Sequence, residues 1–202
     1  MSLYKLAEGC AQCRVCEGAA YQTPPVLFAG HPDASIIAIG QNPGEIKTTD
    51  IARRQWMHIF DKVSIDIVYP AMPAWYLWDF YGSPGYARLS KVFGKKWLFD
   101  GIMMWTNAVR CRTPKNAKPS KEMMDTCNTW TQQLLEGRKA IIMVGAAARW
   151  QVLGKEAKKL EWGVPKKHPR LGFILAIRHY STWKGEDASL YKEAVKRVRD
   201  RI

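Results

Sequence analysis

Four cysteines stand as two pairs, Cys10-x2-Cys13 and Cys111-x15-Cys127. Thiolates are soft ligands, and four of them suit an iron–sulfur cluster or a tetrahedral zinc ion. Two pairs so far apart would tie an N-terminal arm to the body of the chain. Cys16 repeats the x2 spacing after Cys13, so Cys13 with Cys16 is a rival pair. A second set of residues is neutral and polar. It comprises Gln41 and Asn42 in the turn Gly40-Gln41-Asn42-Pro43-Gly44, with Asn107 and His179. An amide offers one donor group and one acceptor, and imidazole can do either. Such groups can orient water or read a polar ligand, although Asn-Pro-Gly is also ordinary turn chemistry.

The elements that must position these residues follow from short apolar runs. Ser35–Gly40, Gly101–Val109, Ala140–Gly145 and Phe173–Ile177 read as buried strands. Lys121–Glu136, Ala146–Leu153 and Ala188–Arg201 read as helices, with Cys127 on the first. Arg110–Pro119 is a basic loop. Alternation of strands and helices predicts an α/β fold with a mostly parallel sheet between two helical layers. Ligands of such sheets bind at the carboxyl ends of the strands. Gln41, Asn42, Asn107 and His179 all fall there. The stretch Thr48–Asp79 breaks the rhythm, with Arg53, Arg54, His58 and three tryptophans, and reads as a helical excursion or lid.

At 202 residues the chain is expected to form one domain. Lys and Arg number 31 against 18 Asp and Glu, a net charge of +13 that suits a polyanionic partner, nucleic acid first. Nine tryptophans can stack on bases as well as fill a core. Met1–Glu8 is short and polar and is read as no secretory signal. No apolar run is long enough to span a membrane. The cysteines are therefore expected in a reducing cytoplasm, as metal ligands and not as disulfides.

Five segments, taken in order, resemble the uracil-DNA glycosylase superfamily, most closely its iron–sulfur type, family 4. They are Cys10–Arg14 (CAQCR), Phe80–Gly85 (FYGSPG), Thr106–Ser120 (TNAVRCRTPKNAKPS), Cys127, and Ala140–Ala148 (AIIMVGAAA). The resemblance covers most of the chain. It implies a three-layer glycosylase fold over residues 1–202, with a cluster-binding arm over 1–20 and an inserted lid over 45–79. It assigns Cys10, Cys13, Cys111 and Cys127 to a [4Fe–4S] cluster of structural role, zinc being the alternative.

The catalytic turn departs from family 4, which usually carries Glu second and Ala third. Gly40–Gly44 is similar instead to the G-x-N-P-G turn of the mismatch-specific and single-strand-selective branches. By that resemblance Asn42 orients the attacking water, and Gly40 and Gln41 line the substrate. His179 would hydrogen-bond the O2 of the departing base. Phe80 would stack on the flipped base and Asn107 would read its Watson–Crick edge. Asn107 complements uracil in one amide orientation and cytosine in the other. The usual H-P-S/A step after the histidine is replaced by Tyr180-Ser181-Thr182-Trp183, so Tyr180 or Trp183 would wedge into the duplex. Arg112, Lys115, Arg178 and Lys184 complete the expected DNA contacts.

The implied function is a monofunctional glycosylase that leaves an abasic site, acting on DNA as a monomer. Two features set the base apart from plain uracil. Glu45–Asp50 keeps only part of the acidity that helps family 4 exclude bases bulky at C5. The link from Gly44 to Phe80 is about two dozen residues longer than usual for the family, enough for a larger pocket. Hydroxymethylcytosine or its glucosylated form in phage DNA is the corresponding alternative, with an antiviral role. A non-catalytic DNA-binding module is a further alternative, and a covalent trap through His58 another. A redox enzyme fits least, since no second cofactor motif is present.

Overall fold

The structure is a computed structural model and describes residues 3–16, 25–43 and 83–202. Phe80, His58 and the expected 45–79 insertion lie outside the described residues. Six strands form one sheet: β1 (Ala29–Gly30), β2 (Ile36–Gly40), β3 (Met103–Asn107), β4 (Ala140–Val144), β5 (Lys166–His168) and β6 (Gly172–Ile177). Their order is β1-β3-β2-β4-β6-β5. The four central strands run parallel, and the two short edge strands run antiparallel.

β2, β3 and β4 are buried at every position. Side chains alternate between the two faces of a strand. One face carries Ile36, Ala38, Met103, Trp105 and Ile142, which pack with the helices α2 (Pro84–Phe93) and α5 (Asp187–Arg199). The other carries Ile37, Ile39, Met104, Ile141 and Met143, which pack with α1 (Leu3–Gln12), α3 (Lys121–Leu135) and α4 (Ala146–Leu153). The result is the three-layer α/β architecture that the alternation of elements implies.

The four long strands and the helices α3, α4 and α5 match the expected segments to within two residues at each end. The helices α1 and α2 and the edge strands β1 and β5 have no counterpart among those expectations. Helix α2 starts where Ser83 accepts a hydrogen bond from Tyr86 N at 3.1 Å, with Pro84 in the first turn. Ser120 caps α3 in the same way through Met123 N.

Candidate functional site

The turn after β2 is bolted to the exit of β3. Gly40 pairs with Asn107 in the parallel register. Ala108 N donates to Gly40 O at 2.8 Å and Val109 N to Gln41 O at 3.0 Å. A Cβ on Gly40 would lie 2.4 Å from the Trp105 ring and 2.8 Å from Asn107 Oδ1. Only glycine lets the amide of Asn107 lie across the strand end.

Asn42 is clamped from two sides. Its Nδ2 donates to Pro43 O at 3.2 Å and to Thr113 Oγ1 at 3.0 Å. Thr113 Oγ1 in turn donates to Ala117 O at 2.6 Å, so it can only accept from Asn42. This chain sets the amide orientation. Asn42 Oδ1 accepts from Gln41 Nε2 at 3.0 Å and keeps a second lone pair. An amide so held can accept a hydrogen bond from a water and aim its oxygen. The loop reaches this geometry because Lys115 turns the chain with a left-handed φ of 51°, unlike any other non-glycine residue among those described.

His179 lies at the end of β6, beside the exit of β4. A Cβ on Gly145 would stand 3.3 Å from His179 Cβ. Its Nδ1 accepts from Ser181 N at 3.4 Å and contacts Ser181 Oγ at 2.7 Å. A backbone N–H can only donate, so the proton of the neutral ring sits on Nε2 and is free to be given to a ligand. Burial lowers the His179 pKa below the ordinary 6.5, and the Arg88 charge lowers it further. The ring is therefore neutral at pH 7. Tyr180 lies beside it, tilted by 32° at 4.1 Å between centroids, and packs against Gly85 of α2.

The carboxyl ends of the four parallel strands thus bring Gly40, Gln41, Asn42, Asn107 and His179 to one edge of the sheet. The other expected contacts are spread differently. Lys115, Arg178 and Lys184 are exposed, whereas Arg112 is buried. Trp183 gives its Nε1–H to Arg178 O at 2.8 Å and lies against Tyr191, 5.7 Å away. Tyr180 and Trp183 are both half-buried.

The cysteines gather behind the exit of β3. Cys10, Cys16, Cys111 and Cys127 are buried and Cys13 is half-buried. Burial is the main cause that raises the thiol pKa values, taking Cys111 to about 12, and the neighbouring thiols add to it. Arg110 opposes this at Cys10 and Cys127 through its charge. Its guanidinium is 1% exposed, donates to Asn107 O and reaches Thr131 Oγ1 at 3.0 Å. Thr131 Oγ1 bonds Cys127 O at 3.1 Å. Cys16 bonds the Thr126 hydroxyl and feels Cys13 and Cys127, whereas Cys10 feels Cys13, Cys111 and Cys127. Among the described residues no three such side chains form a group that could hold a single ion. The donor set itself, buried thiols from three stretches of chain beside a buried cation, fits an anionic thiolate-bound group.

A search of curated proteins finds a type-4 uracil-DNA glycosylase of Pyrobaculum aerophilum, 25% identical over 165 residues that cover 79% of this chain and 70% of the relative. The chain is thus similar to a type-4 uracil-DNA glycosylase. No protein-family model matches it. The relationship agrees with the three-layer fold, and both cysteine pairs belong to the segments that carry the resemblance.

Three residues of this candidate site escaped the sequence reading. Thr113 was hidden within a basic loop, and its link to Asn42 spans 71 positions. Arg110 reads in sequence as one more surface cation of that loop. Arg88 sits on a helix that was not expected, and only folding brings it to within 3.5 Å of Tyr180 O. The Ser83-Pro84 step, a strong helix start, is the signal that could have revealed α2.

Proposed function

We propose that the protein is a monofunctional DNA glycosylase, which hydrolyses the N-glycosidic bond of a flipped pyrimidine and leaves an abasic site. The observation that carries this reading is the clamped amide of Asn42, at the sheet edge where Asn107 and His179 also end. Loss of a base passes through an oxocarbenium-like sugar and an anionic base. A neutral amide can position the water for such a centre without being a strong base, so catalysis rests on orientation and electrostatics. Asn42 Oδ1 accepts from the water, held in place by Thr113 and Gln41. The neutral His179 donates Nε2–H to the base O2, where negative charge develops. Asn107 reads the base edge, Gly40 and Gln41 line it, and Phe80 would stack on it as base-flipping enzymes require.

Uracil is the first substrate, since that is what the relative's name gives. A pyrimidine enlarged at C5, such as hydroxymethylcytosine or its glucosylated form in phage DNA, is the second. The partial acidity of Glu45–Asp50 and the long link to Phe80 favour it. In that case the protein acts in defence against phage and not in repair. It would work as a monomer in the cytoplasm.

Cys10, Cys13, Cys111 and Cys127 would hold a [4Fe–4S] cluster, whose contribution is to lock α1 and α3 against the exit of β3. A cubane binds one thiolate per iron and so takes its cysteines wider apart than tetrahedral zinc does. The mutual electrostatic influence of Cys10 with Cys13, Cys111 and Cys127 supports a thiolate-bound group shared by the four. The purified protein is expected to be brown, with absorbance near ~400 nm. Cys127→Ser should remove the colour. Cys16→Ser should keep it, and loss of colour in Cys16→Ser with retention in Cys10→Ser would reassign the fourth ligand.

The test of the function is a glycosylase assay on uracil in single and double strands, on mismatches with guanine, and on DNA carrying hydroxymethylcytosine with and without glucose. Alkali reveals the abasic sites, and Asn42→Ala is the control. Release of uracil supports a repair enzyme, and release of a modified cytosine the antiviral reading. DNA binding with no release from any substrate would overturn the enzyme reading.

A further inference from the structure

A groove of about 600 Å³ opens next to the catalytic edge, between α3, α4 and the segment Gly154–Lys159. Its floor is apolar and includes Met124 and Ala147, both buried. Its rim carries Lys118, Lys121, Arg149 and Lys158, and no acidic residue lines it. Of these, Lys121 is paired with Asp125 just outside the groove. Two indoles complete the wall. The Arg149 guanidinium lies over the Trp162 ring at 4.5 Å from the centroid, which fixes that cation in place. Trp150 is 41% exposed and presents its ring to the opening.

The lining of the groove adjoins residues of the candidate site along the chain at two points. Lys118 follows Ala117, whose carbonyl anchors Thr113 and through it Asn42. Ala146 follows Gly145, which abuts His179.

We propose that this groove is a second DNA subsite, which takes an unpaired nucleotide of the strand that carries the target base. The inference rests on the DNA-glycosylase reading. The exposed face of Trp150 offers a platform for a base, and Lys118, Arg149 and Lys158 meet the flanking phosphates. A base in a duplex has both faces covered by its neighbours, so only an unpaired one can enter. The volume lies within the range of sites that enclose one small ligand. The subsite therefore favours single-stranded or frayed DNA over intact duplex.

Fluorescence anisotropy with a labelled single-stranded oligonucleotide of unmodified thymidylates, and with a blunt duplex, tests this on the whole protein. Trp150→Ala should weaken single-strand binding about tenfold and duplex binding less than about twofold, and Trp150→Phe should restore most of the loss. Lys158→Glu should lower the slope of log affinity against log salt by about one on the single strand. Both positions are exposed, and unchanged thermal melting will show that the variants fold. Single-strand binding as tight as wild type in Trp150→Ala overturns the subsite, as does an equal loss on both DNAs. If the wild-type protein binds neither DNA, the glycosylase reading falls and the subsite with it.

Discussion

The exit of β2 and β3 and the exit of β6 are built in opposite ways. At the first, Asn107 is 2% exposed, and Asn42 is tied to Thr113 from 71 positions away. At the second, His179 and Trp183 are held by bonds to residues no more than five positions off. The first place is rigid because the sheet register and a distant loop over-determine it. The second is a local loop whose long-range ties include Arg88 to Tyr180 O and the packing of His179 against Gly145. A group that must aim a water needs the first kind of support. A group that must stay neutral needs only burial and a nearby cation. Changes at the first should therefore cost rate, and changes at the second should move pH dependence.

The sharpest test is removal of the aimed amide. Asn42→Ala should lower kcat by about a hundredfold or more with little change in DNA affinity. An unaltered kcat would show that the rigid edge does no chemistry. Gly40→Ala comes next, because its new Cβ meets the Trp105 ring. Overpacking of this kind costs about 1–3 kcal/mol. Differential scanning calorimetry should show Tm lower by roughly 2–4 °C per kcal/mol, with activity falling as Asn107 is displaced.

Thr113→Val removes two hydrogen bonds while keeping the shape, the one from Asn42 and the one to Ala117 O. It should reduce kcat about tenfold, the order of the lost bond from Asn42, and leave KM nearly unchanged. Thr113→Ser should restore the rate. A loss in Thr113→Ser with none in Thr113→Val would mean that the methyl group, and not the hydroxyl, matters.

The smallest effect is at the β6 exit. His179 is neutral because its pKa lies below 6.5, so activity should persist as pH falls through 6.5 and decline only below it. Arg88 adds to the lowering, after burial. Arg88→Gln should therefore move the acid limb upward, towards 6.5, without changing the plateau rate. Proton NMR of the ring against pH gives an independent reading. No movement of either would leave burial as the sole cause.

The central strands were legible because each is a short apolar run closed by a polar turn, as in Ile36–Gly40. The helix α3 was legible as the segment Lys121–Glu136, one residue longer than the observed Lys121–Leu135. By contrast, α1 carries Cys10 yet has no acidic residue in its first turn and no basic residue in its last. Edge strands of two and three residues, β1 and β5, leave too short a pattern for period 2 to be seen. Arg110 and Arg112 read as members of a basic surface loop, and both are buried. Charge type is written in the sequence, but burial depends on what packs above it.

The amino-acid sequence by itself determined the alternation of strands and helices, the polar groups at the strand ends, and the grouping of the cysteines into pairs. These are local properties, set by residue type and spacing along a few turns of chain. The tertiary structure alone decided that Thr113 clamps Asn42, that Arg110 sits between Asn107 and the thiols, and that Arg88 approaches the His179–Tyr180 loop. It also decided which wall Trp150 and Trp162 share. Each of these depends on contact between segments distant in sequence. Such contacts leave no periodic trace, because their energy comes from the closure of the fold and not from the conformation of any one segment.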